Sequence, residues 1–213
     1  ELLAAIDTAE AAPEDAAVQR VMARAAIMVA YDRAAGATSD DMVGRLEKAR
    51  RPEIGGWVVT PAGDSYHVDW FGKDARADRV IYAADVHNKI VSNATVYPVS
   101  AEPMMSQAAL RLAHALSAAR AEIQAHPDWQ PCTAARFNTI VLPPDGTDTI
   151  SVFFLTAQVV NDDIPFGGHY EIDVASNGHV LSARSFTKAP CLNVTRPTAQ
   201  GDGKPNGFIL THL

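Results

Sequence analysis

The sequence predicts an α+β fold: a helix followed by a four-stranded antiparallel meander, arranged twice in tandem. Three observations carry this expectation. Tyr82-Ala83-Ala84-Asp85-Val86, a turn, and Ile90-Val91-Ser92 are echoed by Tyr170-Glu171-Ile172-Asp173-Val174, a turn, and Val180-Leu181-Ser182. Upstream, Val58-Val59-Thr60-Pro61-Ala62-Gly63-Asp64 is echoed by Val141-Leu142-Pro143-Pro144-Asp145-Gly146-Thr147. A helix-like stretch precedes each copy. Doubled residues belong to the scaffold, so function is sought where the copies differ. Residues 1–100 form the first repeat with an extra short helix, and residues 101–213 the second with an irregular tail. One continuous domain is the alternative division.

The first dozen residues read as a fraying terminus. Pro13-Glu14-Asp15 suits a first helical turn, with proline where no donor is needed and acids at the positive end of the dipole. Val18, Val21, Met22, Ala25 and Val29 follow at helical spacing and predict the buried stripe. Gly36 reads as the stop. Ser39 then caps a short helix carrying Met42, Val43 and Leu46, which Pro52 ends. The basic run Lys48-Ala49-Arg50-Arg51 sits where cations complement a helix C-terminus. Gly55-Gly56 leads into strands at 57–60 and 66–71, then a charged loop and a hairpin of 79–86 with 90–97. Tyr66, Val68 and Trp70 alternate with His67, Asp69 and Phe71, so one face is meant for a core.

The clearest helix is 104–125, with Met105, Leu112, Leu116, Ala119 and Ile123 on one stripe between Pro103 and Pro127. Strands are expected at 137–142, 149–160, 169–175 and 180–187. Asn177-Gly178 predicts a type I′ turn, which places Val174 opposite Leu181 and Glu171 opposite Arg184. The matching hairpin of the first copy is two residues shorter, a difference that keeps every side chain on its face. The tail 189–206 is rich in Pro, Gly and Thr, and Phe208-Ile209-Leu210 after it is apolar enough to dock on a sheet edge.

The second copy resembles the PepSY-type repeat, a small α+β module. The residues that carry this are the helix 107–124, the strand Ser151-Val152-Phe153-Phe154-Leu155, and the closing hairpin from Tyr170 through Asn177-Gly178 to Ser182. His179 stands where the family usually has Lys. The first copy keeps Asp85 and Lys89-Ile90-Val91-Ser92 but has Asn88 in place of the turn glycine. The resemblance implies an exported, non-catalytic module that acts by binding or inhibition, with no catalytic residues to carry over.

A formal net charge of −7 over 213 residues argues against a nucleic-acid partner, which needs a basic face. No apolar run reaches the roughly 20 residues of a membrane span. The chain opens at Glu1, as after removal of a leader or in a shortened expressed form. Cys132 and Cys191 bracket the second predicted sheet, whose first and last strands bring them to one end, so a disulfide is geometrically reasonable. Two separate buried thiols are the alternative. A bridge would place the protein in an oxidising compartment, periplasmic or secreted, with the cytoplasm as the other option.

The seven histidines are His67, His87, His114, His126, His169, His179 and His212, and none sits at metal-ligand spacing, so no metal or cofactor is expected. His114, at the flank of its helix stripe, reads as half-buried and structural. Asp85 and Asp173 could be a pair of acid/base carboxylates, but their repetition favours turn residues bonded to nearby backbone donors. Asn161-Asp162-Asp163 and Pro165-Phe166-Gly167-Gly168 form either an acidic hairpin tip or a binding loop. The favoured function is an exported, non-enzymatic protein that binds a protein or peptide partner through a sheet surface or edge. The alternative is a small-ligand-binding protein or hydrolase with a site between the repeats. Candidate ligand contacts are Trp57, His67, Trp129, Asp162, Asp163 and Phe166.

Overall fold

A computed structural model describes residues 13–160, 163–187, 191 and 193–195. The expectations for the first dozen residues, for Asp162 and for the apolar segment Phe208-Ile209-Leu210 lie outside these described residues. The chain is α+β, with two antiparallel four-stranded sheets. Helix α1 is Pro13–Arg45. The first sheet follows as β1 (Ile54–Ala62), β2 (Ser65–Gly72), β3 (Val80–His87) and β4 (Ile90–Val96), paired in that order. Helix α2 is Gln107–Ala125. The second half contains β5 (Asn138–Leu142), β6 (Thr149–Leu155), β7 (Asp163–Pro165), β8 (Tyr170–Ala175), β9 (Val180–Ser185) and β10 (Asn193–Thr195). Strands β5, β6, β8 and β9 make the second sheet in that order, and β7 pairs with β10 in a separate ladder.

Helix α1 does not stop at Gly36. Tyr31, Ala34, Ala35, Thr38, Met42 and Leu46 are all buried, and this stripe runs straight through the glycine. Thr38 Oγ1 donates to the Ala34 or Ala35 carbonyl at 3.0 Å and accepts from Trp70 Nε1 at 3.0 Å. Packing of that face therefore overrides the modest helix cost of one glycine, about 1 kcal/mol. The expected stripe is displaced too: Val18, Val21, Met22 and Val29 are exposed, because only the second half of α1 lies on the first sheet. Helix α2 begins later than expected. Ser106 caps it by accepting from Ala109 N at 3.1 Å.

Two cores result, and each draws on both sheets. Under α2, Leu112, Leu116 and Ala119 pack on Val152, Ile172 and Val174 of the second sheet and on Val58 and Phe71 of the first. Under α1, Tyr31 and Met42 pack on Val68, Tyr82 and Val86 of the first sheet and on Ile140, Leu142 and Phe153 of the second. Adjacent residues of β1 and β5 split between the cores. Val58 and Val141 go to one, Val59, Ile140 and Leu142 to the other. Strands β1 and β5 lie side by side, apolar on both faces, which is why each reads as an unbroken hydrophobic run. Each helix therefore packs on residues of both sheets across this seam.

Cys132 and Cys191 are joined by a disulfide, Cα atoms 5.2 Å apart. It ties the segment before β5 to the segment after β9, as the ends of a four-stranded meander allow. The strand expected at 149–160 ends at Leu155. The buried hydroxyl of Thr156 donates to the carbonyl of Gly167 or Gly168 (2.8 and 2.9 Å) and accepts from Cys132 N at 3.0 Å, which turns the chain out of the ladder.

Both hairpin expectations change in detail. Only Gly178 has positive φ (+85°), and Gly178 N donates to Ala175 O at 2.8 Å. The turn is a type I turn closed by a left-handed glycine, not type I′. A bulge between Asp173 and Val174 then places Val174 opposite Val180 and leaves Leu181 exposed, while Glu171 does face Arg184. The type I′ geometry belongs to the first copy, where Asn88 and Lys89 have φ of +47° and +68°.

Candidate functional site

Two large openings lie at opposite ends of the β1–β5 seam. One, of about 730 Å³, sits under the first half of α1 against the β1–β2 and β5–β6 turns. Its walls include Val21, Ile27, Tyr31, Pro61, Leu142 and Pro143, and its Arg20 and Arg24 are balanced by Asp64 and Asp145. Burial and the neighbouring Tyr66 push the Tyr31 hydroxyl up to about 12, so it stays neutral at physiological pH. The other opening, of about 830 Å³, lies where β1 and β5 begin, between the end of α1 and the end of α2.

The second cleft has an unusual lining. Arg51, Lys73, Arg120 and Arg136 border it, and among the described residues no Asp, Glu, His or Cys does. Arg51 comes from the 3₁₀ turn Lys48–Glu53 and donates from Nη2 to Val43 O at 2.6 Å, so it also caps a free carbonyl at the end of α1. Arg120 reaches from α2 across β1 and donates to Gly55 O at 2.7 Å. A Cβ on Gly56 would lie 3.1 Å from this guanidinium and 2.8 Å from Phe71, so the glycine leaves the room in which Arg120 lies. Burial holds the Arg120 guanidinium below its ordinary range. Ile54, Trp57, Ile123, Phe137 and Phe154 supply the apolar wall. Arg51 Nε and Thr139 Oγ1 are buried without a hydrogen-bond partner among the described residues, and both residues line this cleft.

Neighbouring cations are neutralised instead. Glu102, 7% exposed, accepts from Arg50 Nη2 at 2.7 Å and from Arg76, and Glu53 lies 3.3 Å from both. The basic run around Arg50 thus divides in two. Arg50 is locked into structure, and Arg51 is turned to the cleft.

The sequence-derived candidates scatter. Trp57 lines the cleft, its ring 4.9 Å from that of Trp70. His67 lies elsewhere on the first sheet, with Nδ1 2.6 Å from Asp85 Oδ1 and Nε2 3.2 Å from Asp69 Oδ1. Those carboxylates, Asp69 first, raise its pKa to about 9 against the opposing effect of burial. Trp129 stacks between His126 (4.2 Å) and Tyr170 (4.6 Å) as packing. Asp163 opens β7, opposite Thr195 of β10. Phe166 lies just after β7 and does not border the cleft. His114, expected half-buried, is exposed on α2. Asp85 and Asp173 accept from cross-strand side chains, not from the backbone donors expected: His67 and Asn93 for one, Ser151 and Ser182 for the other.

The residues missed are Arg51, Lys73, Arg120, Arg136 and Thr139. One signal was available, since Arg120 interrupts an alanine-rich helix face that otherwise packs. No protein-family profile, no curated protein and no solved structure matches the chain.

Proposed function

We propose that this is an exported, non-catalytic binding protein that takes a small ligand in the cleft where β1 and β5 begin. The observation that carries the reading is the cleft itself, about 830 Å³, which both sheets and both helices border. Its size falls within the range of ligand pockets, and apolar walls with a few convergent polar groups are their usual make-up. Among the described residues no carboxylate, imidazole or thiol borders it, so the commonest acid–base and nucleophilic groups are missing there, which favours binding over catalysis. The Cys132–Cys191 disulfide supports an oxidising compartment.

We also read the two halves as a tandem duplication of a PepSY-like module. What supports it is register: His67 and Ser92 flank Asp85 in one sheet, and Ser151 and Ser182 flank Asp173 in the other. Capture of a peptide by strand addition has weaker support. The outer strands β4 and β9 each carry a bulge, and bulges blunt an edge against pairing.

A fragment screen by amide chemical-shift mapping tests the reading. Hits are expected to move Gly55, Gly56 and Thr139. Fragments that leave these amides still, combined with peptides that shift β4 or β9, would replace the cleft with edge pairing.

A further inference from the structure

Charge in this fold is matched almost everywhere that it is partly buried. Arg24 and Arg184 meet Glu171, Arg45 meets Asp41 at 2.6 Å, and Arg50 and Arg76 share Glu102 and Glu53. The seam cleft departs from this. Arg51 and Arg120, both part-buried, border it bonded to the carbonyls of Val43 and Gly55, with no ion-pair partner among the described residues. The exposed Lys73 and Arg136 stand at its edge, in a chain of net charge −7. Acids are plentiful, yet among the described residues none borders this opening.

The two orphan atoms point the same way. Arg51 Nε–H can only donate, and the Thr139 hydroxyl donates or accepts. Thr139 is 6% exposed, so its hydroxyl cannot rely on bulk water. Leaving a buried polar group unpaired costs about 1–3 kcal/mol. The group that answers guanidinia bordering an apolar cleft is an oxyanion, whose several lone pairs accept from guanidinium forks and hydroxyls in short charge-assisted bonds.

We propose that the ligand of this cleft is an organic oxyanion, a carboxylate, sulfonate or phosphate monoester carried on an apolar body. The inference rests on the cleft being a ligand site and adds the chemistry of what fills it. Arg51, Arg120 and Thr139 hold the charged head, and Arg136 and Lys73 close over it from the rim. The apolar body lies on Trp57, Ile123, Phe137 and Phe154. A bare inorganic anion would leave that wall uncovered, and a neutral apolar molecule would leave the part-buried Arg51 and Arg120 without a counter-charge. A polyanion such as nucleic acid needs a basic track over an extended surface, whereas these cations converge on one opening.

The test pairs two fluorescent probes of similar shape, 8-anilinonaphthalene-1-sulfonate and the uncharged N-phenyl-1-naphthylamine. The sulfonate is expected to bind one site and to shift the amides of Gly55, Gly56 and Thr139. Its Kd should be roughly tenfold or more below that of the neutral probe, as a charge-assisted bond predicts, and should rise with salt. Lys73→Gln combined with Arg136→Gln removes two exposed cations and is expected to weaken only the sulfonate. Thr139→Val does the same from inside the cleft, where the isosteric side chain preserves packing. Equal binding of both probes at those amides overturns the oxyanion assignment and leaves the ligand cleft standing. Binding that shifts only the groove under α1, or no binding at all, overturns the cleft reading as well.

Discussion

Asp85 and Asp173 stand at the same place in their ladders and accept from different partners. Asp85 lies between His67, at 2.6 Å, and Asn93, at 2.8 Å. Asp173 lies between two serine hydroxyls, at 2.6 and 2.9 Å. One neighbourhood is an ion cluster, and in the other the carboxylate has only hydroxyl donors. The surroundings follow suit. On the second sheet, Glu171 is 2% exposed and held by Arg24 and Arg184, with Arg24 also 5.1 Å over the Phe153 ring. On the first, Ala83 faces Asp69, and the cluster stays open enough that the His67 side chain is 39% exposed. Arg24 of α1 reaches over the second sheet to Glu171 and Phe153, while the His67 cluster is bonded through side chains of its own strands. A shared strand register therefore does not dictate shared chemistry; what is laid over the face does.

If the two sheets are one cooperative body, the largest effect comes from the helix that holds both. Leu116 is fully buried in the core that contains Val58 of the first sheet and Val152 of the second. Leu116→Ala is expected to destabilise by about 3 kcal/mol, with one urea transition seen by both intrinsic fluorescence and far-UV circular dichroism. Two separated transitions would divide the halves into independent units.

Next in size is a change confined to the second half. Cys132→Ser with Cys191→Ser removes a bridge that spans 59 residues, at an expected cost of about 2–4 kcal/mol. Hydrogen exchange should rise first in β5 and β9, whose flanks the bridge joins. Equal acceleration in β2 and β3 would show that the tether supports the whole fold.

How much of this was readable beforehand depends on the range of the interaction. The meanders follow from local alternation and turn chemistry, so β2, β3 and the Glu171–Arg184 pairing were legible, and the ends of the second meander made a Cys132–Cys191 bridge reasonable. The length of α1 was not, because Gly36 is a stop signal locally and only the sheet beneath Thr38 and Met42 overrules it. The cleft was less legible still. Arg51, Lys73, Arg120 and Thr139 come from four separate elements, and Arg51 cannot be told from Arg50 until Glu102 is seen to take one and leave the other. Trp57 alone among the candidate contacts reached it, as the aromatic of a strand apolar on both faces.

The ion cluster and the hydroxyl network differ in how they respond to pH. His67 has its pKa raised to about 9 in the folded protein, against about 6.5 when unfolded. Its stabilising contribution is therefore complete below pH 6.5 and disappears as pH climbs through 9. Asp85 is held below its ordinary range by Asn93 and then His67, so its contribution exists above the unfolded carboxylate pKa and is lost in acid. After discounting for solvent screening at a side chain this exposed, His67→Gln should cost about 1 kcal/mol at pH 6, and less at pH 10. Ser151→Ala should cost the same at both. Denaturation midpoints at the two pH values decide it, and a pH-independent His67→Gln would remove the distinction.

The smallest effects lie in the two closing turns and run in opposite directions. Asn88 and Lys89 occupy a type I′ turn with φ of +47° and +68°, a region that a lysine adopts only with strain. Lys89→Gly creates the Asn-Gly pair this turn favours, and is expected to stabilise by about 0.5 kcal/mol once the extra freedom of the unfolded glycine is subtracted. Gly178 sits at φ +85° with open space where a Cβ would point, so conformation alone sets the cost of Gly178→Ala. That cost should be about 1 kcal/mol. The turn of the first half then improves with a glycine by less than the second loses without one, because Asn88 already tolerates the left-handed region and Lys89 alone is out of place. Thermal melts of both variants check the signs; a stabilising Gly178→Ala or a destabilising Lys89→Gly would mean that neighbours, not φ, govern these turns.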